Sequence, residues 1–236
     1  MTEVPSKDYH RPIPHHLTSD EPIVSSAEKD IKPFEKHIHA LHSVIIAKGK
    51  LPSFDPIRRA AEEVDGIFDS KKFSPEIPDF LKHRWPEYSE RRILAVETVL
   101  CELGLVSRDE LKDGTVVTDS DTSLQASSYP FDVDQQTYSE PQYHAGDSVQ
   151  VSATLKPGHI RTPLYLLGKQ GKIVNFQGMF LSPEDLAHFK PTVFELPLYL
   201  VEFEFSDVWG SNCPQKSMKD KIRVEIYEPW LFKVID

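Results

Sequence analysis

The spacing of apolar residues changes once along this chain, and that change limits what the chain can fold into. From Ser25 to about Lys112 the apolar residues recur at helical spacing. From about Tyr143 onward they fall in short, partly alternating runs. In the first part, "SSAE" offers Ser25 as a cap with Glu28 three residues on. Phe34, Ile38, Leu41, Ile45 and Ile46 then form one stripe, which Gly49 ends as a C′ residue. A second helix is expected at "DPIRRAAEEV", with Asp55 as N-cap and Pro56 at N1, where the missing N–H costs nothing. A third is expected from about Ser89 to Leu103, with Ile93, Val96, Val99, Leu100 and Leu103 facing one way and Gly104 as its stop. "SRDEL", from Ser107, reads as a capping box opening a short fourth helix.

The stretch that follows, "KDGTVVTDSDTSLQASSYPFDVDQQTYSEPQ", has no period and reads as a linker. Beyond it, "DSVQVSA", "GKIVNF", "LYLVEFEF" and "IRVEIYEPWLF" are β-rich runs separated by Gly, Pro, Asn and Asp. Four or five such strands point to a small, partly open barrel or a sandwich. The expected class is α+β: an extended arm over 1–24, a helical domain over 25–112, a polar linker over 113–142 and a β domain over 143–236. With 236 residues, 39% of them hydrophobic, the chain is long enough for two cores.

Several classes of function are excluded. A net charge of −10 does not suit a nucleic-acid surface, which needs clustered Lys and Arg. No window approaches the roughly 18 to 20 apolar residues that span a bilayer, and "MTEVPSKDYHRPIPHHL" lacks a secretory core, so a soluble, cytoplasmic protein is expected. Cys101 and Cys213 sit in neither disulfide nor zinc spacing. In "HIHALH", His37, His39 and His42 are spaced i, i+2, i+5, which scatters the rings around a helix, so a solvated or interface face is expected rather than a metal site. No nucleophile elbow, P-loop or dinucleotide fingerprint occurs. Taken alone, the chain does not read as a self-sufficient enzyme.

One loop poses a question of its own. In "PGHIRTPLY", Arg161 has no carboxylate within several residues. The plain reading is an ordinary solvated or carboxylate-paired surface arginine.

A resemblance gives the loop another meaning. "HAGDSVQV", "PGHIRTPLYLLGKQGKIV", "LYLVEFEFSDVWG" and "YEPWL" resemble, in order and spacing, the C-terminal half of the nitrile hydratase β subunit family. "SDEP" from Ser19, "FDPIRRAAEEV" from Phe54 and "YSERRILAVETVLCELGLV" from Tyr88 resemble its helical half. The resemblance implies that the β domain is an SH3-like, partly open barrel. It also implies a partner, a nitrile hydratase α-type subunit in an αβ or α2β2 complex, carrying a non-corrin Co(III) or non-haem Fe(III) in a claw of oxidised cysteines. This chain itself is expected to bind no metal. Matched residue by residue, Arg58 and Arg161 fall on the two arginines that support the oxidised sulfurs. Tyr88 falls where its hydroxyl orients substrate or water, while Phe54, Ile57 and Arg92 fall on substrate-pocket positions. For Arg58 the plain alternative is an ion pair with Glu62 one turn on.

Two departures stand out. Leu167 replaces an arginine in "YLLGK", and Arg92 replaces a pocket tryptophan in "YSERR". A guanidinium there suits an anionic substrate, unless it turns away and pairs with a carboxylate. The expected function is therefore hydration of a small nitrile to an amide. The alternatives are a thiocyanate hydrolase-type subunit, an accessory protein that matures the metal site, and a scaffold that has lost the chemistry.

Overall fold

The structure is a computed structural model that describes residues 33–73, 75, 77–115, 134–137, 140–154 and 158–234. The arm over 1–24, the "SDEP" segment and the Ser25 cap lie outside these residues. The described chain packs as two compact units. The first takes the described residues before Asp134 together with Leu186–Phe189, and the second takes those of Asp134–Asp185 and those from Lys190 onward.

The helical unit is built on α1 (Pro33–Ala47), α2 (Asp55–Ser70), α3 (Tyr88–Glu102) and α4 (Arg108–Asp113). Gly49 and Gly104 follow α1 and α3 with φ of 64° and 66°, the left-handed stop expected of them. Ser107 and Glu110 form the expected capping box of α4.

Two expectations are corrected. Asp55 is the first residue of α2 rather than its cap, and its carboxylate is held by Ser53 Oγ at 2.9 Å. The buried face of α1 is Ile38, His42 and Ile45, while Phe34 and Leu41 are exposed. The face that docks is thus rotated from the most apolar stripe, and it takes in a histidine. On α3, Leu94 and Ala95 join Val96 and Val99 inside, and Ile93 is half-buried. The main core joins Ile45, Leu51, Ile57 and Ala60 to Ala95, Val96 and Val99. A second cluster packs Val64, Phe68, Ile77, Leu81 and Leu94.

The second unit is a six-stranded sheet of β1 (Asp134–Thr137), β2 (Ser148–Val151), β3 (Gln170–Leu181), β4 (Thr192–Glu204), β5 (Lys221–Tyr227) and β6 (Leu231–Lys233). Strands β6, β2, β3 and β4 follow in antiparallel order. The far edge of β4 is shared by β5, antiparallel, and β1, parallel. Among the described residues β5 and β6 do not pair, so the sheet is open. The segment 113–142, read as irregular, contributes β1. Register shifts in β3 at Ile173/Asn175 and Phe176/Gly178 mark bulges, which bend a strand and raise its twist. One face of the sheet buries Val149, Val151, Ile173, Tyr199, Val201, Phe203 and Ile226 with Leu166, Val208 and Trp230. No described helix is long and apolar enough to cross a membrane.

Candidate functional site

Arg161 stands out of a loop whose flanks are anchored. His159 and Thr162 are 2% and 4% exposed, Tyr165 stacks on Trp209 with ring centroids 5.4 Å apart, and Arg161 between them is exposed. Burial on both sides fixes the loop and turns the Arg161 side chain outward. Among the described residues no carboxylate pairs with it. Leu167, at the departure noted above, packs against the sheet core.

The "EPWL" segment is held by buried polar groups. Tyr199 donates to Glu228 at 2.6 Å, and the Gln142 amide donates to the same oxygen at 2.9 Å. Burial and the Glu228 carboxylate push the Tyr199 phenol up to about 12, so it is a structural donor at neutral pH. Trp230 Nε1 donates to Glu184 at 2.7 Å.

In the helical unit the two adjacent arginines of α2 diverge. Arg59 is 5% exposed, donates to the Ala187 carbonyl at 2.8 Å and to Glu63 at 2.7 Å, and pairs with Glu102. Arg58 emerges from the same turn with its side chain 49% exposed and Nη1 3.0 Å from Asp55 Oδ1. The partner is Asp55, one turn back, rather than Glu62. A guanidinium has five N–H donors, and Arg58 uses one of them among the described residues. Asp55 is itself held by Ser53, so the arginine is steered without being saturated.

The pocket candidates separate by burial. Ile57 is 4% exposed and belongs to the core, whereas Phe54 is 41% exposed at the start of α2. Tyr88 is 57% exposed at the start of α3, and its hydroxyl accepts from Arg92 Nη1 at 2.9 Å. Arg92 finds no carboxylate among the described residues. Its Nε and Nη2 instead lie 3.2 and 2.6 Å from His42 Nδ1.

His42 is the residue that sequence reasoning missed. It is 2% exposed, and Phe54 packs edge-on against it at 4.4 Å. Burial, then the Arg92 charge, then His39 lower its pKa to about 4. His42, Phe54, Tyr88 and Arg92 therefore form one contiguous group, in which a neutral ring holds a cation and the cation holds a phenol. Its signal in the sequence was a histidine on an otherwise apolar helix face. Among the described residues no group of three or more His, Cys, Asp or Glu is placed to hold a metal ion.

Residues 132–233 match the family profile described as nitrile hydratase beta subunit, C-terminal. The nitrile hydratase subunit beta of Pseudomonas chlororaphis is 26% identical over 222 residues, covering 94% of this chain and 89% of that protein. The cobalt-containing nitrile hydratase subunit beta of Pseudonocardia thermophila is 28% identical over 93 residues, covering 39% of this chain and 37% of that protein. Among solved structures, the recombinant apo-enzyme of thiocyanate hydrolase from Thiobacillus thioparus is 25% identical, with a TM-score of 0.37, covering 40% of this chain and 78% of that one. The likeness to nitrile hydratase β subunits is thus shown over nearly the whole chain, helical half included.

Proposed function

We propose that this chain is the β-type, non-metal-binding subunit of a cytoplasmic nitrile hydratase, assembled with an α-type partner as αβ or α2β2. On this reading the open sheet is an SH3-like, partly open barrel whose loop presents Arg161. The observation that carries the proposal is Arg161 itself, fixed between buried His159 and Thr162 and without a carboxylate among the described residues. Anionic sulfenate and sulfinate oxygens are the acceptors such a group fits, because a planar guanidinium satisfies two oxygens with charge-assisted bonds. Arg58, half-exposed and tethered among the described residues by Asp55, has donors left for the same purpose.

Bound on the partner, Co(III) or Fe(III) supplies Lewis acidity toward the nitrile or an adjacent water. The residues of this chain bind and orient. Phe54 offers an apolar wall, with Ile57 fixing the backbone behind it, and the Tyr88 hydroxyl orients substrate or water. Arg58 and Arg161 hold the oxidised ligands in place, a supporting role whose loss typically costs about 10- to 100-fold.

The test is co-expression with an α-type chain bearing a CxxCSC claw, followed by amide formation from acrylonitrile. Arg161→Gln should lower the rate by about 10- to 100-fold. Arg161→Lys should not restore it, because an ammonium lacks the planar fork. Full activity in Arg161→Gln would reject the role.

A second reading, a thiocyanate hydrolase-type subunit, is favoured by one observation: every described partner of Arg92 is neutral. Its charge is left for a substrate. If so, Arg92→Trp weakens turnover of thiocyanate or a carboxylated nitrile far more than that of acrylonitrile. Equal losses on both would remove Arg92 from the pocket.

A further inference from the structure

His42 does something that a packing residue does not. It fills a core position on α1 that an aliphatic side chain could fill, yet its Nε2 is buried with no acceptor among the described residues. An orphaned donor of this kind costs roughly 1–3 kcal/mol, so stability alone does not explain a histidine here. The explanation lies at the other nitrogen. Arg92 approaches Nδ1 with two N–H groups, at 3.2 and 2.6 Å. A guanidinium has only donors, so Nδ1 must carry its lone pair, the ring is neutral, and its proton sits on the buried Nε2.

Arg92 passes the constraint on. Its Nη1 donates to the Tyr88 oxygen at 2.9 Å, so the phenol accepts from the arginine and keeps its own O–H to donate elsewhere. Tyr88 is 57% exposed, and its O–H has no acceptor among the described residues. The Arg92 carbon lies 5.9 Å from the Tyr88 ring centroid, which keeps cation and phenol side by side.

A neutral imidazole orients a cation without cancelling it. A carboxylate at the same place would fix the guanidinium equally well and neutralise it. We infer that His42 is a positioning residue that holds Arg92 in place while leaving its charge intact. Arg92 and the Tyr88 hydroxyl then form a paired donor site for the charged end of a small anionic substrate, a linear pseudohalide or a carboxylate-bearing nitrile. This rests on the function proposed above and names the substrate class of that site.

The experiment uses the co-expressed complex and three variants. His42→Glu keeps an acceptor but adds a charge; it should raise KM for thiocyanate or a carboxylated nitrile by about tenfold or more, the effect of one unit charge several ångströms away at intermediate dielectric. KM for acrylonitrile, which carries no charge, should rise by a clearly smaller factor. His42→Phe removes the acceptor and should also raise the anionic KM, and in an Arg92→Met background it should add nothing further. His42→Gln, which retains a neutral acceptor, should recover most of the anionic KM. Equal losses of kcat and KM on anionic and neutral substrates across the three variants would overturn the inference.

A second readout does not depend on turnover. In 15N spectra of the full chain, the Arg92 Nε–H should be displaced by its bond to His42 and should move in His42→Phe but not in His42→Gln. An Arg92 signal indifferent to all three variants would also overturn the inference. A complex that turns over neither substrate class, with the Arg92 signal behaving as expected, would instead overturn the proposed function.

Discussion

Arg58 and Arg59 are neighbours in sequence and opposites in role, and substitution should separate them. Arg59 lies inside with Glu63 and Glu102, so Arg59→Met removes the cation from a buried ion pair. The expected loss is about 3–5 kcal/mol, as for breaking a buried pair, read from urea unfolding of the full chain. Arg58→Met removes a half-exposed side chain whose partner Asp55 keeps its bond from Ser53, and it should cost no more than about 1 kcal/mol of stability while lowering activity in the complex. The sequence pointed to Arg58 and Arg161 because both sit in ordered motifs. It did not point to His42, because which of three scattered histidines turns inward depends on how α1 rotates against α3. That rotation follows from packing, and Phe34 and Leu41 on the outside show that it does not follow the most apolar stripe. The buried ring has a thermodynamic signature. Burial holds its folded pKa at about 4, below the ordinary histidine value of 6.5, so its contribution is full above about pH 6.5 and is lost as pH falls toward 4. His42→Phe should flatten the stability profile across that window, with His39 and the neighbouring Arg92 unchanged; an equally steep profile in the variant would assign the slope elsewhere.

At the scale of elements, the helices were legible because stop and capping residues mark their ends, and the strands were legible only in part. "GKIVNF" and "LYLVEFEF" foretold the first half of β3 and the second half of β4, yet the strands run for 12 and 13 residues. Strand β3 carries two bulges, one inside that run and one at its end, and a bulge breaks the alternation that marks a strand in a sequence. Strand β1, Asp-Gln-Gln-Thr, has no apolar residue at all and owes its conformation to pairing with β4. Close approach explains one residue of β3. A Cβ at Gly171 would come within 2.7 Å of Phe203, 2.8 Å of Val201 and 2.9 Å of the Glu202 carbonyl. The last of these is backbone and cannot rotate away. Gly171→Ala should therefore destabilise the sheet by about 1–3 kcal/mol, the usual cost of overpacking, seen as a lower urea midpoint at unchanged m. A midpoint equal to that of the unsubstituted chain would mean that β3 and β4 separate more easily than their register implies.

For the whole molecule, the decisive expectation concerns what the chain lacks when alone. Its best-placed groups for chemistry are donors: Arg58, Arg161, Arg92 and the Tyr88 hydroxyl. A guanidinium recognises anions and oxidised sulfur, and it has no lone pair with which to ligate a metal cation. The chain purified by itself should therefore carry no stoichiometric cobalt, iron or zinc and should form no amide. It also leaves Phe34, Leu41 and Val44 of α1 exposed, at 46, 43 and 53%. Large apolar side chains grouped on one helix suit an obligate interface, and such interfaces commonly bury more than about 2,000 Å². Co-expression with a CxxCSC-bearing partner should convert the chain into a hetero-oligomer that holds about one metal per αβ pair. Elemental analysis and light scattering of both preparations decide the matter. Metal at about one equivalent in the isolated chain would move the catalytic centre onto this subunit, and a stable monomer that ignores the partner would remove it from the enzyme altogether.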